Sequence, residues 1–502
     1  MTKQAVTDEY PVSEWTEIEK ALQAAVAASE HTRGWPGDRF ANFLDKYADC
    51  IEERTDQLVD MAHKETALPS SPRLQDVELP RTTGQLRQAA TSARTASWTM
   101  PTIDTKADIR SIYGPIGPVA VFGPNNFPFA FNSIAGGDFA AAIAAGNPVI
   151  AKGHSSHPGT TRLFAEAAFH ATQKTDMPPA MVQLIYRTNH EDGCRLVSHP
   201  LIGATGYTGA RGTGLVLKES ADKAGKPIYL ELSSINPVFI LPGALDERLN
   251  QVADEFTTSC LMGTGQFCTK PGLVILQAGK NARRFVETAK QRFDESPVGT
   301  LLNESVQSHF TQSIDTLTRE GAVVVVGGNA GKGNGYCYEN TLLEVDGDTF
   351  VSKSEILQTE AFGNGSLFVL AKDADQMLEI AELLEGNLTG CVYSDTNGND
   401  DALYDRIVPT LRQRVGRLLN DRMPTGVAVS AAMNHGGPFP ATGHPAFTAV
   451  GIPTSIHRFT SLQCYDNVRP HRLPPLLRDK SPDDNTWRLI DGQWTRSGVT
   501  TE

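Results

Sequence analysis

The sequence predicts an α/β protein: a doubly wound parallel sheet followed by a second α/β region. Three observations point there. From Gly114 onward, short apolar runs alternate with amphipathic stretches in a strand-helix-strand rhythm. A second alternation of the same kind restarts near Asn236. The chain of 502 residues also exceeds what one compact core holds, so two or three domains are expected.

Taken in order, residues 13–64 carry apolar positions at helical spacing, among them Phe43, Tyr47, Ile51, Leu58 and Met61, and read as helix. Residues 65–112 turn Pro-, Thr- and Arg-rich with weak periodicity, ending in SARTASWTMPTIDTKADIRSIY, a loop or an extended arm. Residues 119–122 then read as a buried strand, GPNNFP as a turn, 132–145 as a helix and 148–152 as the next strand, a βαβ unit with a right-handed crossover. The alternation continues with helix 159–172, strand 182–186, helix 192–199, strand 202–207, helix 213–224 and strand 228–232. NPVFIL opens the second region, with a long helix over 247–262 and strands at 273–276 and 322–326. Past 453 the chain turns polar and Pro-rich (VRPHRLPPLLRDKSPDD), which suits a tail laid over another surface.

Lys plus Arg total 45 against 58 Asp plus Glu, a net charge of -13, which argues against nucleic acid and against anionic membrane surfaces as partners. An anionic small substrate would need a local cationic pocket. The N-terminal stretch MTKQAVTDEYPVSEW has no apolar core and reads as untargeted, and no apolar run reaches bilayer length. Cysteines at 50, 194, 260, 268, 337, 391 and 464 show no CxxC spacing, so neither a metal site nor a disulfide scaffold is expected and a reducing cytoplasm fits best.

The segment richest in chemical information is GTGQFCTKPG, which sets Cys268 among Gly263, Gly265 and Gly272 on a loop between a helix and a strand. Such a loop presents a nucleophile well, although a free cysteine is equally read as a small buried hydrophobe. Glu231 ends the apolar strand IYLEL beside the break between the two regions, where a carboxylate is either a general base or a plain strand-end acid. The turn from Gly123 to Pro128 puts Asn125 and Asn126 at the carboxyl edge of the sheet, where an amide can steady an oxyanion or simply make a turn. VIAKGHSSHPGTT places Lys152, His154 and Ser155 after a strand like a nucleotide-ribose subsite, and GYTGARGTG is Gly-rich before a helix without being GxGxxG. The stretch after Lys152 has no carboxylate, which favours NADP over NAD while leaving NAD possible; Arg187 and Arg211 are the nearby arginine candidates for a 2′-phosphate.

Taken together, FGPNNFPFAF, GGDFAAAIAAGNPVIAKGHSSHPGT, GYTGARGTG, ELSSINPVF, GQFCTKPG, TEAFGNG and GGPFPATGHPAFTAVG resemble the aldehyde dehydrogenase superfamily over nearly the whole chain and in the right order. The wording is most similar to the branch of 2,5-dioxovalerate (α-ketoglutarate semialdehyde) and NADP-linked fatty-aldehyde dehydrogenases. The resemblance implies that Cys268 is the nucleophile, Glu231 the general base, and the Asn126 amide with the Cys268 backbone N–H the oxyanion site. It further implies that Lys152 meets the adenosine ribose, Gly206 and Gly209 line the pyrophosphate path, and Glu360 and Phe362 meet the nicotinamide ribose and ring. Two departures stand out: Ala210 replaces the usual Ser, and TEAFGNG replaces EEIFGP.

The resemblance also implies a dinucleotide-binding domain over 1–96 and 114–235, a catalytic domain over 236–453, and a small bridging β arm and tail over 97–113 and 454–502. A homodimer or homotetramer follows from that arm. The expected reaction is oxidation of an aldehyde, such as the semialdehyde 2,5-dioxovalerate, to its acid through a Cys268 thiohemiacetal and thioester. The pocket would be shaped by Phe127, Phe129, Phe267, His435 and Phe439, and no single arginine stands out as a carboxylate clamp. Alternatives are a long-chain or general aldehyde dehydrogenase, and a nucleotide-binding homologue that has lost catalysis. A CoA-acylating relative would leave Glu231 redundant.

Overall fold

The computed structural model describes residues 10–333 and 335–499; residues 1–9, the start of the stretch read as untargeted, lie outside them. Helices α1 (Trp15–His31), α2 (Gly37–Glu52) and α3 (Thr55–Thr66) open the chain. α2 buries Phe40, Phe43, Leu44, Tyr47 and Ile51, one stripe at spacings of three and four residues. Helix α4 (Leu79–Thr95) follows, where the sequence showed little periodicity. Its buried face is made of Thr82, Thr83, Leu86, Ala89, Ala90 and Ala93, so hydropathy barely alternates although one side is fully covered. Thr82 takes a core position because its hydroxyl donates to the Glu78 carbonyl at 2.8 Å.

After β1 (Thr102–Asp104) and β2 (Ile109–Pro115), five parallel strands form the first large sheet: β3 (Val119–Phe122), β4 (Val149–Lys152), β5 (Val182–Ile185), β6 (Ala204–Thr208) and β7 (Ile228–Glu231). They are joined by α5 (Gly137–Ala144), α6 (Pro158–Thr175), α7 (His190–Val197) and α8 (Arg211–Lys223). The order is β5-β4-β3-β6-β7, so the winding reverses between β3 and β6 and opens a crevice at the carboxyl ends of those strands. The run VAVF is buried throughout because helices cover both faces.

The helix expected over 132–145 begins only at Gly137. The Asn132 side chain accepts from Ile134 N at 3.1 Å and donates to the Pro128 carbonyl at 2.8 Å, and this local bonding replaces the first helical turn.

The second large sheet contains β8 (Val238–Ile240), β9 (Leu273–Gln277), β10 (Val323–Val326), β11 (Thr341–Asp346), β12 (Gly365–Ala371), β13 (Asn387–Tyr393) and β14 (Val415–Asn420), in the order β10-β11-β12-β9-β8-β13-β14. Only the edge strand β10 runs antiparallel to its neighbour. Helix α9 (Pro242–Leu261) starts earlier than the expected 247. Pro242 suits a first turn, and the N–H groups of Gly243 and Ala244 are capped from far away by Asp400 at 2.9 and 3.0 Å.

Strands β15 (Thr460–Asp466), β16 (Arg488–Ile490) and β17 (Gln493–Thr495) return to β1 and β2 in the order β15-β2-β1-β16-β17. The polar stretch past 453 is held by charge as much as by apolar packing: the fully buried Arg488 donates to the carbonyls of Arg478 and Ser497 at 2.6 and 2.8 Å. Among the described residues no helix is long and apolar enough to cross a membrane.

Candidate active site

Cys268 sits on the loop between α9 and β9, and two devices hold that loop. At Gly265 the backbone has φ +67°, and a Cβ there would lie 2.0 Å from the Gly363 carbonyl oxygen, so only glycine allows this approach. Asn236, in the left-handed region at φ +49°, donates its amide to the carbonyls of Cys268 and Lys270, both at 2.9 Å. Asn387 Oδ1 in turn accepts from the backbone of Ile235 and Asn236 at 2.9 and 3.1 Å. The SSINP segment therefore clamps the nucleophile loop as well as carrying Glu231 into place, a role the sequence reading missed. Asn at the break between two apolar runs was the available signal.

Glu231 projects from the last residue of β7 and is 4% exposed. Its Oε1 lies 2.7 Å from His435 Nε2, and the same nitrogen lies 3.4 Å from Cys268 Sγ. The carboxylate, imidazole and thiol thus converge, with one atom of each all within 4.8 Å of one another. A 2.7 Å nitrogen–oxygen contact requires one proton between the two atoms, so imidazole and carboxylate share a proton within reach of the thiol. Burial and the Glu231 carboxylate push the Cys268 thiol well above its usual range, with the Arg81 guanidinium opposing them. The thiol therefore needs an adjacent acceptor, and the Glu231 carboxylate, braced by His435, is placed to be one. His435 was expected only to shape the pocket; the structure puts it inside the proton network. Among the described residues, Glu231 Oε2 is buried with no hydrogen-bond partner.

Asn126 is buried at the end of the β3 turn and donates its amide to the Gln266 carbonyl at 2.9 Å, leaving one amide hydrogen on the wall it shares with Cys268. Phe127 and Phe267 pack edge-to-face at 5.2 Å, and Phe131, which the sequence reading passed over, lies 5.4 Å from Phe127 and 5.8 Å from the His435 ring. Two other expected pocket residues are elsewhere. Phe129 is wholly buried against Phe164 in the main core. Phe439 is 57% exposed beside Arg211, beyond the turn that carries the chain away from His435.

A cavity of about 890 Å³ runs from Cys268 and Glu231 past Glu360 and Phe362 to Lys152, His154 and Ser155. Gly209 lines it but Gly206 does not: a Cβ on Gly206 would lie 2.6 Å from Asp138 Oδ2, so that glycine makes room for packing behind β6. The cavity fits a dinucleotide. Helix α8 opens onto it through Gly209, Gly212 and Thr213, and Ala210 at its N-cap makes no side-chain bond, which leaves amide donors for a pyrophosphate. Lys152 is depressed by burial and by Arg187 nearby, whereas Arg211 is engaged with Glu385 at 3.0 Å. His154 is held well below its usual range by burial, His157 and Lys152; its ring stacks 5.4 Å from that of His157. Glu360 is pushed up to about 7 by burial. The carboxylates on the cavity wall are Glu231 and Glu360, both toward Cys268, and the Lys152 end has none among the described residues.

A family model described as the aldehyde dehydrogenase family matches residues 2–430. The chain is 38% identical over 484 residues to α-ketoglutaric semialdehyde dehydrogenase 2 of Azospirillum brasilense, covering 94% of this chain and 91% of the relative. It is 36% identical over 493 residues to α-ketoglutaric semialdehyde dehydrogenase of Acinetobacter baylyi, covering 96% and 92%. Among solved structures, it resembles glyceraldehyde-3-phosphate dehydrogenase of Methanocaldococcus jannaschii complexed with NADP, with TM-score 0.77, 20% identity, and 92% and 96% of the two chains covered. An aldehyde dehydrogenase C variant of Pseudomonas syringae complexed with NAD+ and octanal gives TM-score 0.77 at 20% identity, covering 92% and 91%.

Proposed function

The chain belongs to the aldehyde dehydrogenase family, and from that premise we propose that it oxidises a short carboxylate-bearing semialdehyde, 2,5-dioxovalerate first among them, with NADP as the preferred acceptor. The observation that carries the reading is the contiguous Glu231–His435–Cys268 array at one end of a dinucleotide-sized cavity. The names of the two relatives above 35% identity support the substrate. Lys152 at a cavity end without carboxylates supports NADP, since an acid there would repel a 2′-phosphate.

In this reading Cys268 gives its proton to the Glu231 carboxylate that His435 braces, the thiolate adds to the aldehyde carbon, and the carboxylate passes that proton out to solvent along the cavity. The charge developing on the carbonyl oxygen is met by the Asn126 amide and the Cys268 N–H. A nicotinamide held along the cavity supplies the hydride acceptor. The thioester then left on Cys268 is attacked by a water whose proton passes to Glu231, the unpartnered Oε2 being its natural landing point. The acid departs, and Glu231 returns the proton taken from water to the thiolate, restoring the thiol. Lys152, Ser155 and neutral His154 orient the adenosine end, the α8 amides take the pyrophosphate, and Glu360 accepts from the nicotinamide ribose.

The homodimer or homotetramer is part of the same proposal. It draws support from β15, an edge strand whose outer side is unpaired among the described residues and whose Leu462 is 61% exposed. A spectrophotometric screen of NADP and NAD reduction against 2,5-dioxovalerate, succinate semialdehyde and long-chain aldehydes tests the reading. The highest kcat/KM is expected with 2,5-dioxovalerate and NADP; a clear preference for uncharged long chains sinks the substrate assignment.

A further inference from the structure

We propose that Arg81, on the first turn of α4, is the residue that grips the far carboxylate of the semialdehyde, an inference that rests on the substrate reading above. The side of Cys268 away from the dinucleotide cavity is walled by Phe127, Phe131 and Phe267. Two guanidinium groups lie against this wall. Arg73 stands 4.5 Å over the Phe127 ring and Arg81 stands 5.3 Å from the centre of the Phe131 ring and 5.7 Å from that of Phe127.

The two arginines differ in how their charge is met. Arg73 is paired with Glu78 and also donates to the Asn126 carbonyl at 3.0 Å. Glu78 is fully committed, its other oxygen accepting from the backbone of Phe129 and Ala130 at 2.8 and 3.0 Å. Arg81 has neither ion pair nor hydrogen bond among the described residues, and its Nε and Nη2 are shut away from solvent. Arg81 as a whole is half-buried, but two inaccessible donors on a cation with no counter-ion are costly, and two aromatic faces offset only part of that cost. A carboxylate arriving as a bidentate partner would satisfy both orphaned nitrogens at once.

The distance to the reacting atom is short. Phe131 touches Arg81 on one side and the His435 ring, at 5.8 Å, on the other, and His435 touches Cys268. One phenyl and one imidazole therefore separate guanidinium and thiol, which suits a chain of a few carbons bearing an aldehyde at one end and a carboxylate at the other. The overall charge of -13 repels such an anion at long range, so a local cation is needed to hold it.

Arg81 also favours ionisation of Cys268, and that effect acts on every aldehyde alike. The informative quantity is thus the ratio of kcat/KM for 2,5-dioxovalerate to that for pentanal, which has the same number of carbons and no charge. In Arg81→Gln the ratio is expected to fall about 10- to 100-fold, the range for losing a charge-assisted hydrogen bond, mainly through KM. Arg81→Lys, which keeps the charge and loses the fork, should fall between. In the unaltered enzyme glutarate should compete with pentanal. A ratio unchanged within about twofold, or no competition by glutarate, overturns the assignment. If the unaltered enzyme itself prefers pentanal, the substrate reading falls first; if it prefers 2,5-dioxovalerate and Arg81→Gln keeps that preference, Arg81 alone falls.

Discussion

His435 Nε2 stands 2.7 Å from Glu231 Oε1, so this imidazole and this carboxylate hold one proton between them. The thiol they serve is pushed up by burial and by the same carboxylate, and a thiol raised in this way is neutral at pH 7 unless its proton has somewhere to go. In His435→Gln the group that braces the accepting carboxylate is gone. The rising limb of the rate–pH profile should move to higher pH, and turnover at pH 7 should fall about 100-fold, at the low end of what a positioned base supplies. Alkylation of Cys268 by iodoacetamide against pH should shift in the same direction. An unmoved alkylation profile would show that His435 has no part in the ionisation of Cys268.

Cys268→Ala should abolish aldehyde oxidation while leaving the melting temperature and dinucleotide binding in place, because Cys268 is the covalent partner of substrate. Cys260, buried and pushed up to about 11, lies in the second-sheet core, and Cys260→Ala should keep turnover. Equal loss in both variants would mean the wrong thiol has been assigned.

Glu231→Gln separates the two halves of the reaction. The first half should yield at most about one reduced nicotinamide per site before turnover slows, as expected when an acyl-enzyme accumulates. Intact-protein mass spectrometry should find the acyl group on Cys268. If the free acid is still released at the normal rate, another group activates the water.

NADP should be used with at least about tenfold higher kcat/KM than NAD, equivalent to about 1.4 kcal/mol. Lys152→Ala should narrow that gap by lowering the efficiency with NADP more than with NAD, since a cation near a 2′-phosphate matters only when the phosphate is there. Initial rates with both cofactors decide it, and a tenfold preference for NAD counts against the reading.

The parts of the site written in contiguous sequence were legible: Cys268 among its glycines, Glu231 at a strand end, and Asn126 in its turn. His435 was seen only as a pocket residue, because its bonds to Glu231 and Cys268 span 204 and 167 positions and leave no local pattern. Arg81 was invisible for a different reason. It lies on a helix whose buried side is largely threonine and alanine, and its significance is the partner it lacks among the described residues. Gly206 matched a Gly-rich motif in letters yet faces Asp138, since strand residues alternate between faces. Phe129 fell into the core by the geometry of one tight turn. The α/β alternation itself was readable because buried parallel strands are apolar end to end, whereas α9 began early on a cap supplied by Asp400 from more than a hundred residues away.

Cys268 hangs from the second large sheet, Glu231 from the first, and His435 from the long loop after β14. The reactive centre is thus a seam and belongs to no single folding unit. Mild denaturant or heat that loosens the seam by a small displacement should silence the enzyme while far-ultraviolet circular dichroism still records native helix content, because hydrogen bonds fail over distances that leave helices untouched. Activity is then the earliest reporter of damage in this chain, and a stored preparation can be spent while it still looks folded.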